Sequence, residues 1–178
     1  QTLQAAGATV TSAAGDAHGR ASYRFGPACI AVASDDRDAG RWLREFLTPW
    51  FVPGPPDENP LAVRMTSSAP AFAALEQRMA EAPLVPHACF ALDRQVVELP
   101  GWTEDGELVI ADRERGCFYR VQPGGVEIVA QPGERRVRVG LMRVVRELAA
   151  ARMLRQGGIL DLHASAFVIA GRAILLVG

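Results

Sequence analysis

The spacing of apolar residues switches between two and 3.6 along the chain, and each switch marks an element. Residues 1–20 are rich in Ala, Gly, Ser and Thr with no period, which predicts a flexible N-terminal arm. "ASYRF" and "ACIAVAS", split by Gly26-Pro27, predict a strand pair. Ser34 or Asp35 can cap a following helix, because a short side-chain oxygen accepts from free first-turn N–H groups. That helix, near 36–47, carries Ala39, Trp42, Leu43, Phe46 and Leu47 on one stripe. Pro49 and "PGPPDENP" end it in a stiff surface loop. "LAVRMT" predicts a short strand, and "PAFAALEQRMAEAP" a second helix.

From about residue 88 to 130 the period is two. "ACFALD", "QVVEL", "ELVIAD", "CFYRVQ" and "VEIVA" predict five strands of an antiparallel meander, with "DR", "PGWTEDG", "DRERG" and "QPGG" as its turns. Between Arg136 and Gln156 the period returns to 3.6 through Val137, Leu141, Val144, Val145, Leu148, Ala151 and Leu154. Gly157-Gly158 stops this helix, since a residue without Cβ takes positive φ freely. The last stretch, "LHASAFVIAGRAILLVG", predicts a hairpin turning at Ala170-Gly171-Arg172. Its runs "FVIA" and "AILLV" are apolar on both faces, which predicts a central position in the sheet. The expected fold class is α+β: a mixed, largely antiparallel sheet, the long helix on one face and the helix near 36–47 elsewhere. Residues 21–178 form one domain after the arm, with no repeat or linker.

A chain of 178 residues with 49% hydrophobic content can bury a real core. Its formal net charge of −1 provides no global field for nucleic acid or an anionic membrane. No apolar run approaches the ~20 residues that span a bilayer, and the N-terminus lacks the basic and apolar regions of a signal peptide. All 19 basic residues are arginine, and lysine is absent. Cys29, Cys89 and Cys117 are odd in number and far apart, so neither a disulfide framework nor a CxxC metal site is suggested. A reducing cytoplasm is the expected location.

Asp161, His163 and Ser165 alternate along one strand and share a face. Residues two apart on a strand are roughly 6.5–7 Å apart along its axis, too far for the direct hydrogen bonds of a hydrolytic triad. The row either meets solvent and structural partners or faces a phosphate or substrate. "AILLVG" has the form of a strand leading into a P-loop, whose backbone N–H groups cradle phosphates, with Gly178 as its first glycine; many other strands also end in Gly. His87 and Cys89 share a strand face and could seed a metal site, but no second pair has matching spacing, so a packed Cys and a partly exposed His is the expectation. Trp102 falls in an acidic turn, either marking a contact surface or capping the meander core.

Together, "RELAAARMLRQGGILDLHASAFVIAGRAILLVG" resembles the segment before the Walker A loop of the HPr kinase-related proteins. These are bacterial ATP-dependent kinases with a phosphoenolpyruvate-carboxykinase-like nucleotide-binding core. The residues that carry the resemblance are Arg146, Glu147, Gly157, Gly158, Leu162, His163, Ala164, Ser165, Gly171, Arg172, Ala173 and Gly178, over about 35 residues. The resemblance implies ATP and Mg²⁺ as cofactors, Gly178 as a nucleotide-binding residue, and transfer of a γ-phosphate to a hydroxyl of a peptide or protein. It implies that His163 approaches phosphate or acceptor, with Ser165 as a second catalytic candidate. Arg146 and Glu147 could equally form a structural ion pair. Relatives of this kind also occur beside ribosomally made peptide pathways, including lasso peptides, where a precursor-peptide Ser can be the acceptor.

The family's phosphate-binding Lys, its Mg²⁺-binding hydroxyl and its catalytic acid would all lie downstream of Gly178. The expectation is therefore the N-terminal part of such a kinase, completed by a C-terminal segment or separate chain and inactive alone; a homo-oligomer is compatible with it. The alternatives are a non-catalytic peptide- or protein-binding scaffold that uses the Trp102 turn or the polar row, and a P-loop NTPase.

Overall fold

In the computed structural model the described residues are 20–48, 50–56, 58–90, 96–157 and 164–177. The expected N-terminal arm, apart from Arg20, lies outside them. Gly26-Pro27 turns β1 (Arg20–Phe25) back onto β2 (Ala28–Ser34). Next come α1 (Arg37–Leu47), the two-residue β3 (Val52–Pro53), β4 (Leu61–Ser67) and α2 (Ala69–Glu81). The meander is β5 (Val85–Phe90), β6 (Val96–Glu104), β7 (Glu107–Asp112), β8 (Cys117–Gln122) and β9 (Gly125–Ala130). The chain continues through α3 (Val137–Gly157) to the hairpin β10 (Ala164–Ile169) and β11 (Arg172–Val177). The fold class expected from the pattern holds at this level: α+β, with three helices and a mixed nine-stranded sheet among the described residues.

The sheet order is β3-β1-β2-β4-β9-β8-β7-β6-β5. β2, β4 and β9 run parallel, and every other pairing in this sheet is antiparallel. Side chains alternate between the faces, so the sheet has two cores. On one face Tyr23, Ile30, Val63, Met65 and Ile128 pack against Leu43 and Leu47 of α1 and Leu141, Met142 and Val145 of α3. On the other, Phe72, Leu75 and Met79 of α2 cover Trp102, Val109, Phe118 and Val129.

Three expectations are corrected. α1 lies on the same face as α3, and it is α2 that takes the opposite face. The α1 cap is Asp36, whose carboxylate accepts from Asp38 N at 2.9 Å and Ala39 N at 3.0 Å; Ser34 Oγ instead accepts from Asp36 N. "PGWTEDG" is not one long turn: β6 runs on to Glu104, and the chain reverses at Asp105-Gly106, both at positive φ. Proline is tolerated inside this hairpin because Pro86 faces Pro100 across β5 and β6. Neither can donate, so the pair occupies a position where ladder groups point away from the partner strand.

The hairpin β10–β11 is also not central. Its ladder runs from Ala164↔Val177 to Ile169↔Arg172, and the turn residues Ala170 and Gly171 have φ of 49° and 78°, the sign a two-residue hairpin turn of matching twist requires. Among the described residues these strands pair only with each other. The interior strands of the nine-stranded sheet already have partners on both sides, so no central slot is open. Val168 is 72% exposed and Ile169 57%. Runs that are apolar on both faces mark a strand seeking cover as readily as one already covered.

The α1 stripe is narrower than its sequence. Ala39, Leu43 and Leu47, one i, i+4 row, are buried, while Phe46 is exposed and stacks on Trp42. Leu43→Ala therefore costs about 2–5 kcal/mol. Phe46→Ala costs clearly less, which paired urea unfolding curves with equal slopes will show.

Candidate functional site at the carboxyl ends of the parallel strands

His163, Gly178 and Asp161 lie outside the described residues. Ser165 is in β10 opposite Leu176, and its side chain is likewise outside the description. Arg146 and Glu147 are exposed on α3. As neighbours on a helix they do not face each other, so the geometry does not favour an ion pair between them. His87 and Cys89 do share a face of β5, opposite Leu99 and Val97. His87 lies over Gly101, with its Cδ2 2.6 Å from where a Cβ on that residue would fall. Trp102 is a core residue, 4% exposed and edge-on to Phe118 at 6.1 Å between ring centroids. That is the core-capping alternative, reached from a strand.

The described residues assemble a different site. Because β2, β4 and β9 are parallel, their carboxyl ends share one edge, and α1, α2 and α3 each begin there. α1 leaves β2 toward one face and α2 leaves β4 toward the other, so adjacent connections diverge. Open sheets hold ligands at such a divergence.

Short polar residues build this edge. Asp35 N donates to Met65 O at 3.2 Å, and both Asp35 carboxylate oxygens accept from Ser67 N at 2.8 and 2.9 Å, which ties the β2 exit to the β4 exit. Ser68 N donates to Ala130 O at 3.3 Å, and Ser68 Oγ caps α2 by accepting from Ala71 N at 3.4 Å. Asp36 and Asp38 neutralise the positive end of α1. α2 and α3 carry no acid in their first turns.

Arg135, Arg136 and Arg138 surround the start of α3. Glu134 engages one of them: its oxygens accept from Arg136 N at 2.8 Å, Nε at 3.1 Å and Nη2 at 2.8 Å. These hydrogen bonds hold the Glu134 carboxyl down at about 2. Arg138 Nε is buried with no acceptor among the described residues. The α2 and α3 N-termini with these arginines favour an anionic group, a phosphate or a carboxylate.

Beside this edge lies a buried cluster that turn composition conceals. Asp112 is fully buried at the end of β7. It accepts from Arg115 N at 3.2 Å, Arg115 Nη1 at 2.9 Å and the Tyr119 hydroxyl at 3.0 Å. Burial, first of all, pushes the Cys117 thiol up to about 12 and the Tyr119 hydroxyl well above its ordinary value. Both stay protonated, so beside the Asp112–Arg115 ion pair the cluster offers no nucleophile. Burial also raises Cys89, partly offset by the charge of Arg143. "DRERG" reads from its residue types as a turn and nothing more. Parity is the signal that finds the cluster, because Asp112 falls on the face of Leu108 and Ile110, where a polar residue must be buried with partners.

Tyr119 also fixes the helix above it. Its hydroxyl lies 2.6 Å from where a Cβ on Gly140 would fall, so only glycine lets α3 approach. No family model, curated protein or solved structure matches the chain.

Gly140→Ala is expected to cost about 1–3 kcal/mol by overpacking. Tyr119→Phe in the same chain should recover part of that loss in a double-mutant cycle. Glu134 is an ionised partner above its ordinary value near 4.5, and that contribution fades as pH falls toward about 2. A carboxyl NMR titration should place its midpoint near the lower value; a midpoint near 4.5 would remove the Arg136 contact.

Proposed function

We propose that the chain is the N-terminal part of an ATP-dependent kinase of the HPr kinase-related type. Such an enzyme transfers the γ-phosphate to a hydroxyl of a peptide or protein. The observation that supports this reading is the order of the C-terminal elements. A 21-residue helix ends at Gly157, and after it comes a tight hairpin turning on Ala170-Gly171, whose second strand ends at Val177, one residue before Gly178. The resemblance calls for a helix, a glycine stop and a strand delivered to a phosphate loop.

Of the groups that would hold ATP, this chain contributes Gly178, whose backbone N–H would face phosphate oxygens. It has no lysine, so the phosphate-neutralising Lys and the Mg²⁺ ligands belong to a segment downstream of Gly178. Bound Mg-ATP would supply the phosphoryl group. His163 is the residue of this chain assigned to the acceptor or phosphate, with Ser165 behind it. No described helix is long and apolar enough to cross a membrane, and a cytoplasmic location goes with the reading. The scaffold alternative has lost one of its two supports, because Trp102 is buried.

The test uses the protein extended past Gly178. A GK[ST]-like ending should come within a few residues, and changing its Lys should abolish Mg-ATP binding in calorimetry. His163→Ala should leave nucleotide binding intact and lower peptide or protein phosphorylation by roughly 10²-fold or more. Absence of that ending would overturn the P-loop assignment, and unchanged transfer would remove His163 from the site.

A further inference from the structure

Among the described residues the nine-stranded sheet has two open edges. One is β3, only Val52–Pro53. The other is β5, six residues with no Lys, Arg, Asp or Glu among them. Exposed strand edges normally carry charge or are very short, because an unpaired row of N–H and C=O groups recruits another strand. β5 is neither charged nor very short; its one blunting residue is Pro86, which removes a single outward N–H, and Leu84, Val85 and Val97 are exposed.

The phase of this edge is fixed. Pro86 and Pro100 face each other at a position not bonded across β5–β6, so His87 and Cys89 bond to β6, while Pro86, Ala88 and Phe90 direct their main-chain groups outward. This outward set is nearly symmetric about Ala88. If a second β5 runs antiparallel with Ala88 opposite the partner's Ala88, the two alanines exchange both hydrogen bonds. Each Phe90 N–H then meets a Pro86 carbonyl, the one outward group that proline retains. Sliding the register two residues toward Pro86 sets Pro86 against the partner's Ala88 and halves the bonds. Sliding it two residues the other way shortens the overlap within Val85–Phe90.

The same register places His87 directly opposite the partner's Cys89, on the face that carries α3. Directly opposed side chains of this kind have Cβ atoms about 4.5–5.5 Å apart. One chain offers only His87 and Cys89 here; among the described residues no group of three or more His, Cys, Asp and Glu could hold a metal. A second copy supplies the missing pair.

We propose that β5 pairs antiparallel with β5 of a second copy, centred on Ala88, and that the two His87–Cys89 pairs form a Cys₂His₂ zinc site across the dyad. Two imidazoles and two thiolates are a tetrahedral structural zinc set. Metal binding turns the His87 ring from Gly101 toward the edge and releases the Cys89 proton to solvent.

Light scattering and metal analysis on the full chain, with zinc added or removed by a chelator, test this. The expected result is a dimer holding one zinc per two chains, with dimerisation weakened at least about tenfold by chelation. Cobalt(II) in place of zinc should give the strong visible bands of a tetrahedral thiolate site. Ala88→Pro should abolish both dimer and zinc; it is compatible with the β5–β6 ladder because Pro86 already occupies that phase. Cys89→Ser should lose the metal without that backbone change. A monomer with or without zinc would overturn the proposal. So would a dimer that survives Ala88→Pro, a dimer that binds no zinc, or zinc retained by Cys89→Ser.

Discussion

The parallel seam between β4 and β9 is the contact on which the rest of the molecule depends. It joins Leu61–Ser67 to Gly125–Ala130, two segments separated by α2 and four strands of the meander. Without it the chain would hold two partial sheets, β1–β2–β4 and β5–β9, each with an apolar face and no common core. Gly125 helps to close it, because a Cβ there would fall 2.9 Å from the Ala62 carbonyl carbon. α3 then covers both sides of the seam, through Leu141, Met142 and Val145. The loop-closure entropy of this distant pairing must be met before any of that burial rewards it.

The seam also makes the polar edge. Parallel pairing brings the exits of β2, β4 and β9 to one side of the sheet, and each exit opens into a helix N-terminus. Asp36 and Asp38 sit at the start of α1, while three arginines, one of them paired with Glu134, surround the start of α3. Asp112, Tyr119 and Gly140 hold the β7–β8 end and α3 at a fixed spacing beside that edge. The hairpin on which the kinase proposal depends lies beyond the other end of α3 in the chain, so the helix links the two regions.

Local pattern makes the meander legible, because five alternating runs between turn residues have one economical arrangement. It also locates all three helices to within a residue or two. The parallel seam is not legible, since a period of two says which face a residue occupies and nothing about its partner strand. Pro100 and Trp102 read as turn because Pro-Gly usually is one; a facing Pro86 makes it strand. Asp36 takes the cap from Ser34 and Asp35 because Asp35 is engaged by Ser67, a partner 32 residues away. The buried Asp112 is accessible from strand parity. The β5 edge is not, since its phase depends on which proline faces which. Of the catalytic candidates, Ser165 is placed only as a strand residue.

Native-state hydrogen exchange tests the dependence on the seam most directly. Amides of β2, β4, β8 and β9 should exchange through one global opening with a common free energy, and weakening the seam, as Gly125→Val would, should lower all of them together. A meander that keeps its protection while β1, β2 and β4 exchange freely would contradict it.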